Sequence, residues 1–241
     1  MTLPPDATSP NGSPATPGQR PGRTIEAAAV AGVAYAVLAI TGLVLLWRTP
    51  ELSMSSDELT EWYGDTGHQA ELIMGLNAVS ISAIAFLWFV AVIRRRLGEH
   101  EDRFFGTVFI GSSIVFVGIW LVGAAAIAAP AVALNLVDDG SISQASATQS
   151  LGVGGGLLLV VAPRLQAVFV LTVSNLIVRS RFLPSWLAYV GFVVGLGMMV
   201  TPLVTRPIGI AFPLWVLLVS VVILLARPTA RAAKIEVGPE A

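Results

Sequence analysis

The sequence predicts an all-α integral membrane bundle of six transmembrane helices, with both termini on the cytoplasmic side. Three observations lead to this fold class. Only 12% of the 241 residues are charged and 55% are hydrophobic, whereas soluble domains carry about 25% charged residues. Six apolar stretches are each long enough to cross a bilayer as a helix. Basic residues are concentrated in every second connection between these stretches, which sets the orientation.

The chain begins with a polar segment in which six prolines are interleaved with Ser, Thr, Gly and Asn. This composition buries too little apolar surface to offset the entropy of ordering. We therefore expect residues 1–23 to be a disordered cytoplasmic tail. A transmembrane domain over residues 24–227 and a short cytoplasmic tail over residues 228–241 follow.

The transmembrane domain consists of six apolar stretches of about 19 to 25 residues, the length that spans the hydrocarbon core. They cover residues 25–47, 72–93, 105–129, 154–178, 186–204 and 208–226. Backbone groups find no water in lipid, so helices are the expected spanning form. The first stretch is longer than the apolar region of a secretory signal, and no small-residue cleavage site follows it. We expect it to remain as a membrane anchor.

The distribution of basic residues gives the orientation. Eleven of the fourteen Lys and Arg residues fall on one side: Arg20, Arg23, Arg94, Arg95, Arg96, Arg103, Arg179, Arg181, Arg227, Arg231 and Lys234. The other side has only Arg48 and Arg206, and Arg164 lies within a helix. The positive-inside rule then places both termini in the cytoplasm. The excess of Arg over Lys, with much Ala, Gly and Val, is typical of a high-GC bacterial genome, so we expect the bacterial cytoplasmic membrane.

Several chemistries lack their essential groups. The net charge is −1 and the sequence has no stripe of basic residues, so it offers no basic surface that would bind nucleic acid. Cysteine is absent, and the two histidines, His68 and His100, lie in loops. No Asp or Glu lies deep within a predicted span, which removes the group that a carboxylate proton relay requires. We expect no catalytic residues, no metal site and no cofactor, and we interpret the protein as non-enzymatic.

Arg164 lies within the fourth apolar stretch, directly after Pro163. A guanidinium stays protonated in proteins, so in lipid it must reach the headgroups, pair with an acid or face a wet cavity. Pro163 frees a backbone carbonyl one turn earlier, near Leu159, and is expected to kink the helix. Helical geometry puts Asn175 on nearly the same face as Arg164, whereas Gln166 points to the opposite face.

The acidic partner that we expect for Arg164 is Glu71, at the outer mouth of the second helix, with Asp65 and Asp138 as alternatives. The predicted binding site comprises Arg164, Glu71, His68, Asn77 and Asn175. Two interpretations stay open. The arginine is either a structural ion pair or snorkelling residue that fixes helix packing, or the centre of an outward-facing site for an anion or lipid headgroup.

Small residues at a spacing of four indicate close helix contacts, because packing rather than hydrophobicity drives helix association in lipid. Four such sets occur: Gly191/Gly195, Gly152/Gly156, Ala28/Gly32/Ala36 and Ala125/Ala129. We expect most of them to pack within one chain and the rest to contact a second copy. The run "GVGGG" at residues 152–156 is interpreted as flexible or close-packed backbone.

The segments "VRSRFLPSWLAYVGFVVGLG" and "FPLWVLLVSVVILLARP" resemble a bacterial, largely actinobacterial family of six-helix integral membrane proteins of unknown function. In that family a short basic turn, Leu-Pro and Trp-Leu open the fifth helix, and the sixth helix contains Trp. The matching residues are Arg179, Leu183, Pro184, Trp186, Leu187, Gly191, Trp215 and Ser220. The resemblance implies the six-helix topology and no particular chemistry.

These observations favour a multi-pass membrane protein that binds a lipid, a small ligand or another membrane protein, including a second copy of itself. The alternative is a small-solute transporter or permease component with an outward-facing polar site around Arg164. That alternative needs a polar pathway through the bundle. A third hypothesis, a membrane enzyme, would need His68, Glu71 and Arg164 to converge in space.

Overall fold

A computed structural model describes residues 21–51, 53–97, 103–136, 140–180, 183–200 and 206–225. Within these ranges the chain is all-helical and contains no strand. Residues 1–20 of the predicted N-terminal tail and the whole predicted C-terminal tail lie outside the described residues. Residues 21–23, which were also assigned to the tail, belong to the first helix.

The helices follow in the order α1 (Pro21–Leu46), α2 (Ser56–Gly64), α3 (Thr66–Leu97), α4 (Arg103–Leu136), α5 (Gln144–Gly156), a π-turn (Leu157–Val161), α6 (Ala162–Ser180), α7 (Ser185–Val200) and α8 (Arg206–Leu225). Five segments are long and apolar enough to cross a membrane: α1, α3, α4, the continuous segment from α5 through α6, and α8. The apolar helix α7 has 16 residues, about 24 Å at 1.5 Å per residue. This is an all-α architecture consistent with a membrane bundle.

Three helix ends lie six or more residues from their predicted positions, all at the same end of the bundle. The second predicted helix begins at Thr66 instead of 72, the third extends to Leu136, and the fourth begins at Gln144 instead of 154. The extension of α4 is apolar and continues the helix past Pro130. The extensions at the starts of α3 and α5 are polar, so hydropathy does not detect them. Local caps start them instead: the Ser143 hydroxyl accepts a hydrogen bond from the Ser146 N–H at 3.2 Å, as an N-cap does.

The polar extensions and α2 form what we call the cap, residues 53–71 and 140–147. The loop predicted between the first two spans contains α2, which begins with a capping box at Ser55. Backbone N–H groups at the start of α5 bind hydroxyls of α2: Ile142 N–H to Thr60 Oγ1 at 2.9 Å and Gln144 N–H to Ser56 Oγ at 3.3 Å. A small apolar centre lies beneath these bonds, with Leu59, Tyr63, Ile142 and Ala147 buried. The cap is therefore a packed unit.

The helices pack in a ring. Helix α1 lies between α3 and α8, α3 contacts α4, α4 contacts α5 and α6, and α6 contacts α7. The aromatic core, eight buried rings from five helices, fills the centre of the bundle. Its members are Tyr35, Phe86, Phe109, Phe116, Trp120, Phe169, Phe212 and Trp215. Neighbouring ring centroids are 4.9 to 6.5 Å apart, within the range of favourable aromatic pairs.

The small-residue prediction is confirmed at three positions. A Cβ at Gly32 would overlap Ser220 Oγ of α8, and one at Gly191 would overlap Ser174 Oγ of α6. Gly195 also packs closely against α6, since a Cβ there would lie 2.8 Å from the Leu171 side chain. Gly152 and Gly156 make no such contact within the chain, since a Cβ there would meet no described atom within 4 Å, and the Ala125/Ala129 pair is exposed.

Candidate functional site

Arg164 lies near the start of α6, directly after the π-turn and Pro163. Its side chain is half-buried, and Nη1 donates a hydrogen bond to the Val160 carbonyl at 2.7 Å. Because side chains on a helix lean toward its N-terminus, the guanidinium runs back toward the cap. Gln166 is 1% exposed and so lies on the opposite, interior face, as its spacing from Arg164 predicted. The arginine thus binds a backbone oxygen of its own helix.

The π-turn ends two residues before Pro163. The Ala162 N–H donates to the Leu157 carbonyl, five residues back instead of four. The next residue along the chain is Pro163, which has no backbone N–H to donate. The carbonyl one turn earlier, which would accept this hydrogen bond in a regular helix, therefore receives none from residue 163. That carbonyl belongs to Leu158 in the five-residue register or to Leu159 in the four-residue register. The sequence-based expectation of a freed carbonyl near Leu159 thus has its counterpart in a widened helical turn.

Glu71 is not the partner of Arg164. Its carboxylate Oε1 accepts a hydrogen bond at 2.6 Å from Nη1 of Arg48, at the end of α1. The Arg48 side chain is 59% exposed and the Glu71 side chain 33% exposed. A pair this accessible to water contributes about 0–1 kcal/mol. Its role is therefore to connect the end of α1 to the start of α3 more than to stabilise the bundle.

His68 is fixed within the cap by a stacking contact. Its ring lies parallel to the indole of Trp62, with centroids 4.1 Å apart and an interplanar angle of 9°. Nδ1 is 3.2 Å from the Trp62 carbonyl and 3.5 Å from Oδ1 of Asp65. Asp65, an alternative acid for Arg164, instead accepts backbone hydrogen bonds from Gly67 and His68. The described ranges hold no group of three His, Cys, Asp or Glu side chains that could bind a metal ion.

The two asparagines complete the predicted set. Asn77 Nδ2 donates to the Ile73 carbonyl of its own helix at 2.8 Å, on an exposed face of α3. Asn175 is half-buried on α6, eleven residues beyond Arg164. Within the described part of the chain, no hydrogen bond or ion pair joins any two of Arg164, Glu71, His68, Asn77 and Asn175. The structure thus distributes the residues of the predicted site over separate local contacts.

Hydrogen bonds in the cap shift the pKa values of two carboxylates. The Ser55 N–H donates to the Glu58 carboxylate at 2.7 Å and lowers the pKa of Glu58. The His68 N–H lowers the pKa of Asp65, with smaller contributions from the Gly67 N–H and the charge of His68. Burial of the phenol raises the pKa of Tyr63 to about 12. The cap therefore depends on two ionised carboxylates and one neutral phenol.

The lowered carboxylate pKa values predict that acid loosens the cap. A group with a depressed folded pKa contributes stability above its unfolded pKa, and this contribution is lost as pH falls through the folded value. We expect rate-corrected amide exchange in α2 to accelerate below about pH 4. Glu58→Gln keeps an acceptor and should blunt this dependence, whereas Glu61→Gln, outside the capping box, should preserve it. Equal protection at pH 3 and pH 7 would contradict the prediction.

Sequence reasoning missed the polar atoms of the bundle interior. Tyr35 Oη, both amide atoms of Gln166, Ser174 Oγ and the Trp215 indole N–H are buried, and none has a hydrogen-bond partner among the described residues. The Trp120 indole N–H reaches Ser82 Oγ at 3.4 Å. The sequence did contain one indication of these buried polar groups. Gln166 lies on the helix face opposite Arg164, which places its amide toward the interior. These atoms lie in and around the aromatic core and form no continuous chain of hydrogen bonds there.

Comparison with known proteins gives no relative from which a function could be inferred. No family model matches the chain, and neither a curated protein nor a solved structure resembles it closely enough to count as a match.

Proposed function

We propose that this chain is a six-span protein of the bacterial cytoplasmic membrane, with α7 as the sixth crossing and both termini in the cytoplasm. The five long apolar helices and the side preference of the basic residues support this arrangement. A 24 Å helix crosses a core of about 30 Å when the bilayer thins locally or the ends snorkel. In this topology the cap lies outside the cell. The resemblance to the six-helix actinobacterial-type family is part of the same proposal.

The function that we propose is binding of an anionic lipid headgroup or small anion at the outer face, without catalysis. One observation carries it: a half-buried guanidinium is held at 2.7 Å on the backbone of a π-turn inside an apolar helix. Intramembrane arginine is costly and is commonly functional, and π-turns occur frequently at functional sites. A guanidinium recognises phosphate and carboxylate oxygens through its planar donors. Membrane lipid is therefore the partner that we propose first.

Acidic residues in the cap and just before it shape this site. Glu51, Asp57, Glu58, Glu61 and Asp65 are exposed at the same end of the bundle. They repel free anions in the surrounding water, with a reach of about 8–10 Å at physiological salt. A headgroup that approaches within the bilayer avoids part of this repulsion because its acyl chains keep it beside α6. This argument favours lipid over a soluble anion.

Transport of a small solute is the second hypothesis, and it needs a polar path between helices. The aromatic core occupies the bundle centre, and an opened conformation would have to separate its rings. Gln166 and Tyr35, buried there without partners among the described residues, are the polar groups that such a path would use. Flux of a labelled solute into proteoliposomes, dependent on Gln166, would favour transport over binding.

The lipid proposal is tested with Arg164→Gln in nanodiscs of phosphatidylcholine with and without phosphatidylglycerol. For the wild type we expect phosphatidylglycerol to raise the unfolding temperature, because a ligand that binds only the folded state stabilises it. Arg164→Gln should lose most of this rise. The matched control is Arg48→Gln, which removes a paired and exposed arginine from the same end of the bundle and should keep the rise.

Two outcomes would contradict the proposal. Equal responses of Arg164→Gln and the wild type would show that Arg164 does not bind the headgroup. Equal losses in Arg164→Gln and Arg48→Gln would show general charge attraction instead of a site. The same comparison with inorganic phosphate in place of the lipid distinguishes a headgroup from a free anion.

A further inference from the structure

Two polar side chains meet at one buried glycine, where α6, α7 and α8 contact one another. A Cβ at Gly191 of α7 would overlap Ser174 Oγ of α6 and would lie 3.0 Å from Trp215 Nε1 of α8. The hydroxyl and the indole N–H therefore face the same side of Gly191. Ser174 is fully buried and Trp215 is 2% exposed, so neither polar group reaches the surface of the bundle. We call these three residues the glycine junction.

The hydroxyl of Ser174 differs from other hydroxyls on the helices of the bundle. Four of those donate a hydrogen bond of 2.6 to 2.8 Å to the carbonyl four residues earlier in their own helix: Ser80, Ser113, Thr172 and Ser220. This arrangement is common for hydroxyls inside helices. Ser174 Oγ makes no such bond and has no hydrogen-bond partner among the described residues. Its hydroxyl is directed at the glycine junction instead of at its own helix.

The indole N–H of Trp215 is the second unpaired group at the junction. It also has no partner among the residues that the structure describes. The large majority of buried polar groups in native proteins are hydrogen-bonded, because an unpaired one has lost its bonds to water without compensation. An indole N–H can only donate, whereas a serine hydroxyl donates once and also accepts. The junction therefore requires a partner that accepts from Trp215 and bonds to Ser174.

We propose that one water molecule binds at the glycine junction, where its oxygen accepts the Trp215 N–H and it donates a proton to Ser174 Oγ. Buried waters typically bond to polar groups that the protein itself leaves unsatisfied, and such a bridge is nearly as favourable in enthalpy as a direct hydrogen bond. Gly191 contributes no side chain at this point, and the surrounding residues are buried, so the ligand is water and not a larger molecule. The water joins α7 to both α6 and α8.

The experiment detects this water by X-ray radiolysis of the full chain in nanodiscs, because a bound water then releases hydroxyl radicals that oxidise the adjacent side chain. Trp120 is the reference, since it is fully buried and its indole N–H reaches Ser82 Oγ directly. We expect Trp215 to be oxidised about fivefold faster than Trp120 in the wild type. Ser174→Ala should lower the Trp215 rate to that of Trp120. The matched control is Ser113→Ala, which removes a buried hydroxyl bonded to its own helix and should leave the Trp215 rate unchanged.

A second measurement, the folding equilibrium constant in mixed detergent micelles, gives opposite signs with and without the water. If the water is bound, Ser174→Ala should lower the constant about fivefold. The loss should be smaller when Trp215→Phe has already removed the indole donor, because the two groups share one bridge. If no water is bound, Ser174→Ala removes a costly unpaired hydroxyl and should raise the constant in both backgrounds.

Three results would overturn the water site. They are equal oxidation of Trp215 and Trp120 in the wild type, rapid oxidation of Trp215 that persists in Ser174→Ala, and a rise in the folding constant caused by Ser174→Ala. Coupling of Ser174 and Trp215 in stability, together with equal oxidation, would replace the water with a direct hydrogen bond between them. The site lies in the bundle interior and its variants leave Arg164 in place, so this inference goes beyond lipid binding and fails or stands separately from it.

Discussion

Gly154→Ala is expected to lower the free energy of unfolding by about 3 kcal/mol, the upper part of the range for overpacked contacts. A Cβ at Gly154 would lie 2.5 Å from Ile127 Cγ1, 2.8 Å from the Gly123 carbonyl oxygen and 3.0 Å from the Ile127 nitrogen. Two of these three atoms are backbone, so no side-chain rotation relieves the clash. Helices α4 and α5 must separate instead, and the dispersion contacts along both are weakened.

The control for this prediction is Gly152→Ala, two residues earlier on α5. A Cβ at Gly152 meets no described atom within 4 Å, so alanine should leave stability unchanged or raise it by up to about 1 kcal/mol through helix propensity. Equilibrium unfolding in mixed detergent micelles measures both variants. Tolerance of alanine at position 154 equal to that at position 152 would show that α4 and α5 are not in close contact.

Phe212→Ala is expected to cost about 3 kcal/mol or more, in the range of large-to-small core substitutions. Phe212 of α8 contacts five other rings of the aromatic core: Tyr35, Phe86, Phe116, Phe169 and Trp215. Burial from water contributes little to helix association in lipid. The loss therefore comes from the ring contacts, each worth about 0.5–1.5 kcal/mol, and from the cavity that remains.

Leu214→Ala is the matched control, two residues along the same helix. Leu214 is 51% exposed, so its truncation removes contacts with lipid and few contacts with protein. We expect a change well below 1 kcal/mol in the same unfolding assay. If Phe212→Ala and Leu214→Ala had similar effects, the aromatic core would not be the element that holds α8 in the bundle.

Sequence patterns predicted the features that depend on residues close together along the chain. The apolar stretches predicted the helical class, and the missing N–H of Pro163 predicted a freed carbonyl one turn earlier, the position at which the structure has a π-turn. The angular spacing of Arg164 and Gln166 predicted that the two side chains point to opposite faces of the helix. Each of these follows from helical geometry and the chemistry of a single residue.

Other expectations failed because they concerned residues far apart in the chain. Glu71 was assigned to Arg164, yet Arg48, 23 residues away in sequence, is the cation that the end of α1 brings to it. The run at residues 152–156 contains similar glycines, of which Gly154 is in close contact and Gly152 is not. Hydropathy also missed α2 and the polar start of α5, because serine caps and tertiary hydrogen bonds, not apolar content, stabilise them.

By itself, the sequence determined that this chain consists of long apolar helices and that one arginine is placed within them beside a proline. Those properties are local. The proportion of apolar residues determines whether the helices are suited to lipid or to water, and a residue's position along a helix determines the direction of its side chain. The tertiary structure alone decided that Glu71 binds Arg48, that aromatic rings fill the centre, and that Ser174 and Trp215 meet at Gly191. Such contacts depend on the relative rotation and depth of neighbouring helices, which close packing of whole surfaces fixes and no short segment encodes.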